Sequence, residues 1–341
     1  ERRTRKPEHP SVLLGMNNLA ADLFRQAKYD EAGELIMEVR EIWERTLGPE
    51  HPNTLTSIDN LAALLSHQGK HGEAVELNRK VLEMRKRTLG LERPTTLTTL
   101  NNLAVALSKL GRHGEAGELH QQALDVQNRT LGPEHPDTLR CMANLAAVLQ
   151  KQTKYRRAEE LNTEVLEIQR RGLGPEHPET LNTMNNLANV MYEQGRFVEA
   201  EELHREVLES ARRVLGEEHP RTFSSMLCLA SAIIKQGRHE EAEKLLQDVL
   251  EIQQRVLGAE HPHALYSMSI LADLYGRQAK RGEAEQLFRD VLEIHRRERG
   301  AEHHETLTAM AALALCLTSQ GKHTEAESLH ATALEARRRT L

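Results

Sequence analysis

Aromatic residues are scarce in this chain: four Phe, five Tyr and one Trp make up about 3% of 341 residues. That is too few to build the ring platforms on which nucleic-acid bases stack. An excess of positive charge is missing as well, since 45 Lys and Arg face 51 Asp and Glu for a formal net charge of −6. The overall cationic footprint of a nucleic-acid-binding chain is therefore absent. No stretch approaches the roughly 18 consecutive apolar residues of a membrane-spanning helix. No secretory signal is visible in a sequence that opens on Glu1, a residue before which further chain is expected. The three cysteines, Cys141, Cys228 and Cys316, stand 87 and 88 residues apart and form no CxxC pair. They read as reduced, half-buried thiols, which points to the cytoplasm. An HExxH zinc motif, a P-loop, GxGxxG and GxSxG are all absent.

What the chain has instead is a period. The string LGPEHP at Leu47–Pro52 returns at Leu131 and Leu173, as LGEEHP at Leu215 and LGAEHP at Leu257, and more weakly at Leu89 and Arg299, always in steps of 42 residues. A Leu-Ala pair keeps the same step from Leu19-Ala20 to Leu313-Ala314, and so does an alanine from Ala32 to Ala326. The whole chain is thus one domain, 1–341, of eight copies at about 11–52, 53–94, 95–136, 137–178, 179–220, 221–262, 263–304 and 305–341, with 1–10 the end of a truncated preceding copy.

Each copy predicts two antiparallel helices. In the second copy Leu55, Ile58, Leu61, Ala62 and Leu65 recur at helical spacing. Pro52 suits the first turn, where its missing N–H costs nothing, and Gly69 closes the helix. The second helix is expected to begin near Glu73, to turn Ala74, Leu77, Val81 and Leu82 inward, and to end at Leu89-Gly90. Acidic residues open these second helices and Arg/Lys clusters close them, in agreement with the helix dipole. Ala62 and Ala74 are the narrow points at which two backbones approach. One hairpin cannot bury both its faces, so the copies must stack into an all-α solenoid.

The pattern of Leu-Ala, then Gly, an aromatic or His, and a later Ala resembles the tetratricopeptide (TPR) repeat. Its 42-residue period, with "LNNLA", "EAE" and "LGPEHP" segments, is similar to the repeats of kinesin light chain and to arrays of that type in NOD-like and other STAND signalling NTPases. The resemblance implies a right-handed α-solenoid with a concave groove lined by the first helices. With the Ala of Leu-Ala as position 8, positions 1, 4, 7, 8 and 11 are core, and the resemblance assigns positions 2, 5, 9, 12 and 13 to the groove.

Position 5 carries Asn17, Asp59, Asn101 and Asn185. An amide offers a donor and an acceptor together and can clamp an extended peptide backbone. Kinesin light chain uses groove asparagines one repeat apart in this way, which implies the role for Asn17, Asn101 and Asn185; Asp59 offers acceptors only. Asn189 and Tyr192 are groove candidates at positions 9 and 12. Position 13 runs Arg25, His67, Lys109, Lys151, Glu193, Lys235, Arg277 and Ser319. Its five Lys and Arg would form a basic stripe attracting an acidic peptide, or would simply answer the helix dipole. The recurring loop histidines (His9, His51, His135, His177, His219, His261, His303) read as shaping helix starts and not as metal ligands, because successive loops lie a repeat apart.

These features predict a non-catalytic scaffold for a protein or an acidic or extended peptide, without cofactor, metal, nucleic acid or membrane. Two other readings stand beside it: a ligand-sensing arm of a larger NOD-like or STAND NTPase, and a self-assembling array that stacks end to end through its uncapped apolar ends. Glu1–Pro10 match the end of a missing copy and the sequence stops within the loop motif, so a fragment of something longer is expected. The terminal helix, from about Glu325, should turn part of its Ala326, Leu329, Ala333 and Leu334 stripe outward.

Overall fold

The computed structural model describes residues 9–26 and 28–340. The chain divides into two compact units, one running to Ile168 and one from Gln169. In the first, α1 (Pro10–Arg25) pairs with α2 (Tyr29–Leu47), α3 (Pro52–His67) with α4 (His71–Leu89), α5 (Pro94–Lys109) with α6 (His113–Thr130), and α7 (Pro136–Lys151) precedes α8 (Tyr155–Gly172), which carries the division. In the second, α9 (Pro178–Glu193) pairs with α10 (Phe197–Leu215), α11 (Pro220–Lys235) with α12 (His239–Leu257), α13 (Pro262–Arg277) with α14 (Arg281–Arg299), and α15 (His304–Ser319) with α16 (His323–Thr340). No strand occurs among the described residues. Within each unit a first helix packs on its own second helix and on the second helix before it, which makes each unit a TPR-type solenoid of stacked hairpins.

Local chemistry sets the helix ends. The loop histidine accepts the backbone N–H two residues on, through Nδ1 at 3.2 Å in His51 and 3.1 Å in His219, and proline follows in the first turn. This side-chain cap satisfies one of the orphan donors of the helix start. Second helices end on a glycine in the left-handed region, such as Gly90 at φ 85°. The glycine carbonyl is then held by the threonine six residues later: Thr54 Oγ1 donates to Gly48 at 2.9 Å, Thr180 to Gly174 at 2.8 Å and Thr222 to Gly216 at 2.7 Å. Second helices begin two residues before the glutamates expected to open them, at His71 where Glu73 was the expectation.

The two alanine markers lie in the core. Ala62, Ala104, Ala146 and Ala188 on first helices and Ala74, Ala116, Ala158 and Ala200 on second helices are fully buried. Ala104→Leu should therefore overpack the contact and cost about 1–3 kcal/mol. Urea unfolding checks it, and an unchanged midpoint would show the helix register to be wrong. On α16, Ala326 and Ala333 are buried and Leu329 is half-buried, whereas Leu334 is 53% exposed, so the stripe does turn partly outward. Most of the leading segment, residues 1–10, lies outside the described residues.

Candidate functional site

The asparagines singled out at position 5 are half-buried on the first helices, and their oxygens are already engaged. Asn17 Oδ1 accepts from Asn60 Nδ2 at 3.4 Å. Asn101 Oδ1 lies 3.1 Å from His120 Nδ1, and Asn185 Oδ1 lies 3.1 Å from His204 Nδ1. In both pairs the neutral imidazole donates to the amide, which leaves the Asn NH2 as the group that can face a ligand. Burial pushes His120 and His204 down from 6.5 to about 4.

Asp59 is a correction. It is not an open-face acceptor but is buried, 2.6 Å from Arg85 Nη1 and within 3.2 Å of Thr99 Oγ1. Burial raises its carboxyl to about 6 against the opposing pull of Arg85 and Thr99.

Position 13 splits into three behaviours. Arg25 pairs with Asp22 and Arg277 with Asp273 at 3.0 Å, each on its own helix. His67 packs its ring edge-to-face on Phe24 at 4.7 Å. Lys109 and Lys151 in the first unit and Lys235 in the second are exposed and enter no ion pair among the described residues. The continuous stripe expected from composition is thus reduced to three uncommitted lysines. Asn189 and Tyr192 are half-buried, and the Tyr192 ring leans edge-on against Phe197 at 5.3 Å.

The sequence reading missed a buried polar column on the second helices. Four residues after the alanine marker stand Asn78, His120, Asn162 and His204, and eleven after it stand Arg85, Gln127, Gln169 and Gln253, all buried. Three of the latter reach the first helix of the next hairpin: Arg85 Nη1 donates to Thr99 Oγ1 at 2.6 Å, and Gln169 and Gln253 accept from Thr183 and Ser267 at 2.7 Å. Gln127, facing Cys141, leaves its Oε1 without a partner among the described residues. The signal for these columns is in the sequence, in the polar residues that recur four and eleven positions after the second-helix alanine.

In α10 that slot holds Ala211, and the reach is lost. Ser225, at the receiving position, turns its hydroxyl back to the carbonyl of Arg221 at 3.0 Å. The vacated space is a cavity of about 220 Å³ with Leu181, Val207 and Ala211 among its walls and Asn182, Asn185 and Arg221 among its polar lining. An engineered apolar cavity of about 150 Å³ admits benzene, so this one has room for a single large apolar side chain. Asn182, Asn185, Arg221 and Ser224 all belong to the first helices α9 and α11, so part of the cavity wall belongs to the face the resemblance assigned to the groove. Among the described residues no cluster of three or more His, Cys, Asp or Glu could hold a metal ion, and no helix is long and apolar enough to cross a membrane.

Comparison with known proteins agrees with this geometry. No curated protein matches the chain. A crystal structure of a putative kinesin light chain from Podosopora anserina, described as nearly identical TPR-like repeats, is 35% identical with a TM-score of 0.54, covering 60% of this chain and 98% of that one. BtubC (BKLC) from P. vanneervenii shares the fold at 20% identity and TM-score 0.54, over 74% of this chain and 94% of that one. So does the apo quorum sensor NprR from B. thuringiensis, at 12% identity and TM-score 0.68, over 98% and 90%. The model of the tetratricopeptide repeat matches residues 11–87, 95–171, 142–213, 179–232, 221–297 and 281–339. With repeats of the kinesin light chain type along almost its whole length, the chain belongs to the tetratricopeptide repeat family.

Proposed function

We propose that this chain is a non-catalytic scaffold whose first-helix faces bind extended peptide segments of other proteins. The observation that carries the reading is the cavity beside Ala211. One hairpin gives up the internal side chain that fills the slot elsewhere and leaves a largely apolar space, with Asn185 and Arg221 among its lining residues. A peptide would seat one apolar side chain there while the amide nitrogen of Asn185 reaches its backbone. In the first unit the first helices offer the free cations Lys109 and Lys151, which favour acidic segments and speed their encounter.

The test is fluorescence anisotropy with two panels of labelled peptides, one varying the size of a single apolar residue for the cavity and one varying the number of acidic residues for the lysines of the first unit. Lys109→Glu/Lys151→Glu is expected to weaken binding of the acidic peptides at least tenfold, to flatten its salt dependence, and to leave helicity unchanged. Retained affinity with unchanged salt dependence would defeat the cationic part of the reading. Ala211→Gln, which restores the filler found at Gln169 and Gln253, should remove the preference for large apolar side chains.

A further inference from the structure

On the second-helix side, successive hairpins are tied by two recurrent polar bridges. In the first, an arginine five residues after the alanine marker meets a glutamate one residue before the marker of the next hairpin: Arg79–Glu115 at 3.0 Å, Arg205–Glu241 at 2.7 Å, Arg289–Glu325 at 2.6 Å. In the second, a glutamate one residue after the marker meets the basic residue of the next turn: Glu201–Arg238 at 2.6 Å, Glu243–Lys280 at 2.7 Å, Glu285–Lys322 at 2.6 Å.

Between α2 and α4 both bridges are missing. Gly33 stands where a glutamate would reach Lys70, and Met37 stands where an arginine would reach Glu73. Gln68 Nε2 donates to Asp30 across the gap at 3.4 Å. The gap is a groove of about 800 Å³ with α3 as its floor. Leu61, Leu65 and Leu77 supply apolar lining, and Met37 is 45% exposed on its wall. Lys70, Glu73, Glu34 and Glu76 enter no ion pair among the described residues. Counting Asp30 and Arg40, four carboxylates face two cations, so the rim is acidic.

We infer that this groove docks a cationic amphipathic helix of a second protein. The α2 wall runs from Tyr29 to Arg40, about 16 Å at 1.5 Å per residue, which matches three turns of a ligand helix. Such a helix lays an apolar stripe at i, i+3 and i+4 into a groove. Here the stripe meets Met37, Leu65 and Leu77, and methionine adapts to varied partners because its thioether chain is unbranched. A Lys or Arg one turn away reaches Glu73. The partner thereby supplies the cation that Arg79, Arg205 and Arg289 supply from within the chain. The acidic rim rejects the acidic segments suited to Lys109 and Lys151, so the two faces take ligands of opposite charge.

Isothermal titration of the full chain with two 14-residue helical peptides tests this. Both carry leucine on one face; one is flanked by Lys and Arg, the other by Glu. The cationic peptide is expected to bind and to slow hydrogen exchange in residues 29–40 and 61–77, and the anionic one to bind at least tenfold more weakly. Met37→Arg, which rebuilds the internal bridge to Glu73, should weaken the cationic peptide at least tenfold without lowering the melting temperature. Gly33→Glu/Met37→Arg should abolish binding. A Cβ at Gly33 would stand 3.0 Å from Leu64 Cδ2; if that substitution unsettles the fold, Met37→Arg alone decides. No binding of the cationic peptide, equal binding of both peptides, or unchanged affinity in Met37→Arg overturns the inference. Lys109→Glu/Lys151→Glu should leave this binding intact, so its outcome is separable from that of the peptide-binding reading.

Discussion

Arg85→Gln is expected to cost about 3–5 kcal/mol of unfolding free energy at pH 7.5, because it strands a buried carboxylate without its cation. The Arg85 side chain is 5% exposed and holds four partners at once: Asp59 at 2.6 Å, Thr99 Oγ1 at 2.6 Å, the Thr95 carbonyl at 2.9 Å and Thr56 Oγ1 at 3.5 Å. Asp59 stays ionised at that pH, with its carboxyl raised only to about 6. The second-site partner is written in the chain itself. The next copy carries Asn101 where this one has Asp59, and Gln127 where this one has Arg85. Asp59→Asn/Arg85→Gln should consequently recover most of the loss, since the uncompensated buried charge is removed together with its partner. Equilibrium urea unfolding of the three proteins decides it. A single variant within 0.5 kcal/mol of the parent would show that the pair contributes nothing.

Mild acid should destabilise both units through His120 and His204. Each is about 1% exposed and is held neutral, its proton affinity lowered by burial from 6.5 to about 4. The unfolded chain takes up protons near 6.5 while the folded chain resists until about 4. The stability these groups confer is therefore fully present above 6.5 and is lost as pH falls toward 4. A displacement of that size corresponds to roughly 3 kcal/mol per histidine. Asp59 acts in the opposite sense: its contribution is fully present below 3.8 and is lost as pH rises through about 6. One group against two leaves a net loss in acid. Urea midpoints between pH 7.5 and 4.5 should fall steadily, and His120→Leu/His204→Leu should flatten the slope. Leucine is the residue this column already holds at Leu246. The double variant gives up the bonds to Asn101 and Asn185, about 1 kcal/mol each at neutral pH. A flat profile in the parent, or an equally steep one in the double variant, would refute the assignment.

Much of the architecture was legible because it is local. Helix spacing, proline in the first turn, glycine at the end and alanine at the crossings act within a hairpin or between neighbours, and a 42-residue period repeats the same message eight times. The histidine caps follow the same logic, since Nδ1 reaches a backbone N–H only two residues away. Periodicity identified the columns that must be apolar, and they are buried through most of the chain, with Leu19 of the first hairpin exposed and residues such as Leu65, Met191 and Tyr275 half-buried.

The candidate site was legible only as a set of positions. Asn17, Asp59, Asn101 and Asn185 occupy one column, yet Asp59 is drawn into the core, because Arg85 and Thr99 approach it from 26 and 40 residues away. Arg25 and Arg277 are cations by composition and are half-neutralised by Asp22 and Asp273 on their own helices. The cavity beside Ala211 and the groove beside Gly33 and Met37 arise from side chains that are absent. A missing side chain has consequences only where the next hairpin was built to receive it. Sequence by itself determined the repeat, the helices and the alanine contacts, because these depend on spacing along one chain segment. Tertiary structure decided which polar groups are buried and paired and which remain free to meet a partner, because each such outcome depends on two hairpins approaching within hydrogen-bond distance.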